Sequence, residues 1–178
     1  FLEVVKKQED KIAFSAVVGA LDDEAYEIRI LALQKIDLIN KFSKKNAIKK
    51  IMEIANTDVK TLVQAEAINT LGKLTDPELK SIFEKGLQSK SYSVLGKALV
   101  SMYYIDKQIA IAKSKEFPDE IRKIFNEFKL KKSDHMIKDG FSVKAISYHL
   151  GYSEPSSFVR WFTSQTQFTP TSFRVNEN

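Results

Sequence analysis

Apolar residues recur at spacings of three and four along nearly the whole chain, and no convincing run alternates with period two. That pattern predicts an all-α protein. Helices are expected at about Asp10–Leu21, Glu24–Ile39, Ser43–Ala55, Asp58–Leu74, Pro77–Leu87, Ser91–Tyr104, Asp106–Lys115 and Pro118–Lys138. Local chemistry marks several starts. Asp76 precedes Pro77, an N-cap followed by a residue whose missing N–H is harmless in a first turn. Pro118 is followed by Asp119 and Glu120, whose charges suit the positive end of a helix dipole.

The first part of the chain repeats itself. With Ala32, Ala67 and Ala98 taken as equivalent, Ile28, Val63 and Val94 stand four residues earlier, and Tyr26, Thr61 and Tyr92 six earlier. Leu33, Ile68 and Leu99 follow by one, and Ile36, Leu71 and Met102 by four. The alanines are 35 and 31 residues apart, room for one helix pair per repeat. A small residue at the centre lets neighbouring helices approach closely, and the branched residues around it fill the seam. One such pair cannot bury its apolar face alone, so the pairs must stack.

From about Leu130 this ladder stops, which divides the chain into 1–117 and 118–178. Ser142 is placed to cap a short helix with Val143, Ile146 and Leu150 on one face. Gly151 follows, where a helix end needs the left-handed conformation. Ser153 is expected to cap a second helix, Glu154–Gln165, with Pro155 tolerated in its first turn. Phe158 and Phe162 must face inward together. Residue 160 lies roughly 200° around from residue 158, so Arg160 projects outward with Ser156, Ser157, Thr163 and Ser164 near its face. Thr169-Pro170 starts a last short helix that returns Phe173 to the core. The result is a helix-turn-helix with a short polar second helix, the shape that enters a DNA major groove.

Composition narrows the function. The absence of cysteine removes disulfide frameworks, zinc ribbons and thiol catalysis. The net charge of +5 is spread evenly: 19 basic and 16 acidic residues up to Phe117, then 9 and 7. Neither part is basic enough to bind nucleic acid by charge alone. No apolar run approaches the roughly 20 residues of a bilayer span. The opening Phe-Leu-Glu-Val-Val-Lys-Lys lacks signal-peptide order and a starting Met, so the chain is expected to be cut from something longer.

Two resemblances attach to these residues. "LDDEAYEIRILALQKIDLI" and "DVKTLVQAEAINTLGKLTDPELKSIFEKGLQSKSYSVLGKALVSM" resemble the C-terminal HEAT-like region of bacterial zinc aminopeptidases of the aminopeptidase N family, over roughly 1–124. That family's activity needs H-E-x-x-H and a third acidic zinc ligand, neither of which is present, so the resemblance implies a fold without peptidase activity. "ISYHLGYSEPSSFVRWF" and "FTPTSFR" resemble the C-terminal end of the AraC family of transcription regulators, over about 130–178. By that resemblance Pro155, Ser156, Ser157 and Arg160 take base-facing positions of the second recognition helix. Thr163 and Ser164 take backbone-contacting positions, where the family often carries lysine or arginine. The AraC domain has two helix-turn-helix units, and only the second is found here. The two resemblances meet inside one predicted helix, where a chimeric fusion would join them.

Each signal has a plainer reading. Arg160 is also an ordinary surface arginine, Ser156 and Ser157 tolerated first-turn residues, and Trp161 a packing residue against the preceding helix. His135 and His149 read as surface or boundary residues, Asp22-Asp23-Glu24 as a helix cap, and Lys44, Lys45, Lys49 and Lys50 as a solvated face. The expected function is an AraC-like module that binds double-stranded DNA in the major groove through Ser156, Ser157, Arg160, Thr163 and Ser164, carried on a non-catalytic HEAT-like scaffold. The alternative is a structural or protein-interaction scaffold, with a protein partner on the HEAT-like face. No cofactor, metal, membrane or enzymatic role is expected, and the expected location is cytoplasmic.

Overall fold

The computed structural model describes residues 11–38 and 44–176. The predicted helix limits Asp10, Ile39 and Ser43 lie outside the described residues. Among the described residues the fold is all helical: α1 (Lys11–Gly19), α2 (Tyr26–Lys35), α3 (Lys44–Thr57), α4 (Thr61–Gly72), α5 (Lys80–Gly86), α6 (Tyr92–Ile105), α7 (Lys107–Ser114), α8 (Asp119–Lys138), α9 (Val143–His149), α10 (Pro155–Thr166) and α11 (Pro170–Asn176). Short 3-10 turns extend α1 at Ala20–Asp22 and precede α5 at Pro77–Leu79. The chain forms two compact units, Phe1–Ala110 and Ile111–Asn178. Their boundary falls within α7, whereas the sequence reading divides the chain at 117/118.

The first unit is a stack of helix pairs. α2, α4 and α6 pack side by side in one row, α3 lies on α4, and α5 on α6. The repeat read from the sequence is its register. Tyr26, Thr61 and Tyr92 are the first residues of α2, α4 and α6, and Ala32, Ala67 and Ala98 are completely buried. The residue before each of these helices is extended, at Ala25, Lys60 and Ser91. Its N–H donates to the side chain two positions back: Asp23 Oδ1, Asp58 Oδ1 and Ser89 Oγ. Thus Asp23, from the acidic run, orders the entry to α2.

A second repeated bond joins the row. Thr70 Oγ1 donates to the Leu33 carbonyl at 2.8 Å, and Ser101 Oγ to the Ile68 carbonyl at 3.2 Å. Both hydroxyls sit three residues after the central alanine, and both carbonyls one residue after that of the preceding repeat. Only small residues allow such proximity. A Cβ added at Gly72 would meet Ser101 Oγ at 2.3 Å, and one at Gly86 would meet Ala98 Cβ at 2.7 Å. Arg29 supplies a charged tie: Nε and Nη2 each donate to the Asp58 carboxylate at 2.9 Å, and Nη1 donates to the Asp23 and Glu24 carbonyls.

Both limits of one expected helix are corrected. The helix predicted to run from Glu24 to Ile39 starts at Tyr26 and ends at Lys35, because Ile36 is extended (ψ 132°) while its N–H still bonds to the Ala32 carbonyl. The apolar spacing continues past that point, since Leu38 is buried from a turn; buried spacing alone does not report where backbone bonding stops.

The second unit holds α8 to α11. Ser142 Oγ accepts from the Ala145 N–H at 3.1 Å and caps α9. Gly151 (φ +82°) turns the chain out of it, with the Tyr152 N–H bonded to the Ser147 carbonyl. The core is Met136, Ile137, Ile146, Leu150, Phe158 and Phe162, with Phe173 of α11 packed against it.

The tight seam yields a first prediction. Gly72→Ala should lower unfolding free energy by about 1–3 kcal/mol, the usual penalty of overpacking. Gly19→Ala, where an added Cβ meets nothing within 4 Å, should raise it by roughly 0.5–1 kcal/mol through chain entropy. Urea titration followed by far-UV circular dichroism checks both signs.

Candidate functional site

α10 presents the edge on which the DNA reading depends. Phe158 and Phe162 are fully buried, with ring centroids 5.6 Å apart, and Phe173 meets Phe162 edge-on at 5.4 Å. This anchoring fixes the helix about its own axis. Ser156, Arg160 and Ser164, four residues apart, are exposed in one stripe. Ser157 and Thr163 are half-buried. The Thr163 hydroxyl oxygen is buried and has no hydrogen-bond partner, so this orientation does not offer it to a phosphate. Arg160 Nη2 makes a long bond to Ser157 Oγ, at 3.4 Å, and Ser164 Oγ donates to the Trp161 carbonyl at 2.6 Å.

The start of α10 departs from expectation. Ser153 is not the cap. The N-cap position belongs to Glu154, which makes no side-chain capping bond, and Pro155 is the first helical residue. A residue before proline is driven into the extended region, and Glu154 adopts it (φ −129°, ψ 134°). Proline's preset φ therefore starts the helix without a polar cap. Pro155 itself is half-buried.

Trp161 reveals a cluster the sequence reading missed. Its ring lies 5.8 Å from that of Tyr152 in the turn and 6.2 Å from that of Phe158. Lys129 of α8 projects its ammonium over Trp161 at 4.5 Å and over Tyr152 at 4.4 Å, and donates to the Tyr152 hydroxyl at 2.7 Å. No sequence signal pairs residues 129 and 161, because helix packing alone brings them together. Burial pushes the Lys129 amine down to about 8, while the ring faces favour its charged form.

The first unit offers a different surface, a groove of about 780 Å³ lined by Asp22, Glu24, Asn46, Lys49, Lys50 and Glu53 among others. Its charges are mixed and partly paired, since Lys50 bonds to Asp22. Among the described residues no group of three or more histidine, aspartate or glutamate side chains is placed to hold a metal ion, and no helix is long and apolar enough to cross a membrane.

Residues 15–102 match the HEAT repeats family. The match runs from within α1 to within α6 and agrees with the HEAT-like repeat stack of the first unit. Residues 103–178 lie outside it. No curated protein and no solved structure matches the chain.

Lys129 gives a prediction in pH. The folded state releases its proton near pH 8, whereas an ordinary lysine holds it to about 10.5. Between these values the unfolded chain binds more protons, so stability rises with pH. The stability of the native sequence relative to Lys129→Met should therefore increase from pH 7 to pH 10, by on the order of 2 kcal/mol. Urea midpoints at several pH values test this.

Proposed function

We propose that this chain is a non-catalytic helical scaffold whose repeat half binds a protein partner. The observation that carries the reading is the repeated register of α2, α4 and α6. It makes a continuous stack, and stacks of this kind present extended faces that no single helix pair can offer. The groove of the first unit supplies both signs of charge, which suits a polar peptide segment bearing both. A photocrosslinking residue at Asn46 in the groove should capture one defined partner. The same residue at exposed Ile12 on α1 serves as the control. Lys49→Glu should reduce the Asn46 yield several-fold. Equal capture at both positions would remove the groove from the reading.

A second reading rests on the exposed stripe of α10: major-groove DNA binding in the manner of the AraC family. Arginine gives paired hydrogen bonds to guanine, and small hydroxyls permit close approach to bases. In this reading Arg160, Ser156 and Ser157 meet bases and exposed Ser164 lies toward the backbone, while the buried Thr163 hydroxyl takes no part. One unit alone should bind near the non-specific range of roughly 10⁻⁴–10⁻⁶ M. Arg160→Ala should weaken binding to a selected duplex by about 1–3 kcal/mol and change binding to random duplex little. Fluorescence anisotropy with labelled duplexes at low and moderate salt decides it. Equal losses on both duplexes count against base reading, and no binding at low salt leaves the scaffold alone.

A further inference from the structure

We propose that the second unit holds a binding site for a small aromatic oxyanion, a ring carrying a carboxylate or phosphate ester, in the cleft lined by Lys115, Arg122, Lys129 and Trp161. The cleft has a volume of about 410 Å³ and is lined entirely by residues of this unit. That is the size range of small-ligand pockets. Three of its lining residues are cations and none is a carboxylate, although the chain as a whole carries 23 acidic residues against 28 basic ones. A like-charged concavity of this sort is uncomfortable when empty and is relieved by an anion.

The three cations are not equally committed. Arg122 pairs with Asp119 one turn earlier on α8, and that aspartate is largely exposed. Lys129 has no carboxylate partner among the described residues: its ammonium meets the Tyr152 hydroxyl and aromatic faces. Half-buried ammonium groups ordinarily acquire an anionic neighbour. The walls also carry apolar side chains for an anion's ring, Leu150 and Phe125 together with Trp161. Polar atoms for orientation come from Asn126, Ser153 and Ser157. The indole N–H of Trp161, on a residue that lines the cleft, is itself buried without an acceptor. The inference stands apart from the DNA reading, since it uses the cleft and not the exposed stripe of α10.

Trp161 is the sole tryptophan of the chain, so its fluorescence reports on the cleft directly. The full chain is titrated with benzoate, phenyl phosphate, inorganic phosphate and, as an uncharged control, benzamide. A saturable change with benzoate or phenyl phosphate is expected, with benzamide and inorganic phosphate each weaker by about tenfold or more, the worth of one charge-assisted contact or of the ring's burial. Lys129→Gln should weaken the aromatic anion by a similar factor. Arg122→Gln, at an exposed position, should weaken it independently. Equal response to benzamide, equal response to inorganic phosphate, no saturable response to any probe, or a response to duplex DNA that benzoate does not displace would each overturn the proposal.

Discussion

The first unit depends on how closely α2, α4 and α6 approach one another. Each apolar stripe is too wide to be covered by its own pair partner, so stability comes from the neighbouring repeat. The approach is set by the completely buried alanines and by the Gly72–Ser101 and Gly86–Ala98 meetings, where no larger side chain fits. Proximity then admits the hydroxyl bonds from Thr70 and Ser101 to carbonyls of the preceding repeat. Each such bond is modest, about 1 kcal/mol net, but it is directional. It fixes the sliding of one helix along the next, which non-directional apolar burial leaves free. The Arg29–Asp58 tie adds a charge-assisted constraint at the end of the row.

In the second unit the corresponding constraint is rotational. Two phenylalanines four residues apart cannot both be buried unless α10 keeps one face inward, and that requirement alone decides which residues reach solvent. Arg160 is exposed because Phe158 and Phe162 are not. The same rotation turns Trp161 toward Tyr152 and under Lys129, and it withdraws the Thr163 hydroxyl from the surface. One packing event thus produces the polar edge and the cationic cleft together.

Much of this was legible in the sequence, for a physical reason. Helical period, internal repetition and the two phenylalanines are local patterns, and local patterns survive without coordinates. Gly151 and Ser142 were equally readable, since a left-handed helix end and a hydroxyl cap each depend on one residue type. What escaped was of two kinds. The end of α2 at Lys35 and the N-cap of α10 at Glu154 in place of Ser153 are backbone decisions that side-chain spacing does not encode. The Arg29–Asp58 pair and the Lys129 cluster join residues 29 and 23 or more positions apart, through packing that no spacing rule anticipates. The half-buried state of Ser157 and Thr163 belongs with these: a helical wheel places them near the polar edge, but whether an atom is covered depends on what lies over it.

The sparse charge of α10 weighs on its role. Its twelve residues include one cation, Arg160, and no anion, so it releases few counterions on meeting DNA and gains little of the salt-dependent affinity that dominates such complexes. Base contacts from one arginine and two or three hydroxyls supply discrimination more than attraction. On the DNA reading, then, attraction must come from another element, such as a second copy or a protein held by the repeat stack. A scaffold joined to a weak reader is a physically coherent arrangement, because tethering raises local concentration and converts weak contacts into occupancy without any new bond at the groove. On the DNA reading the polar edge of α10 supplies selectivity at low affinity and the repeat half supplies the hold.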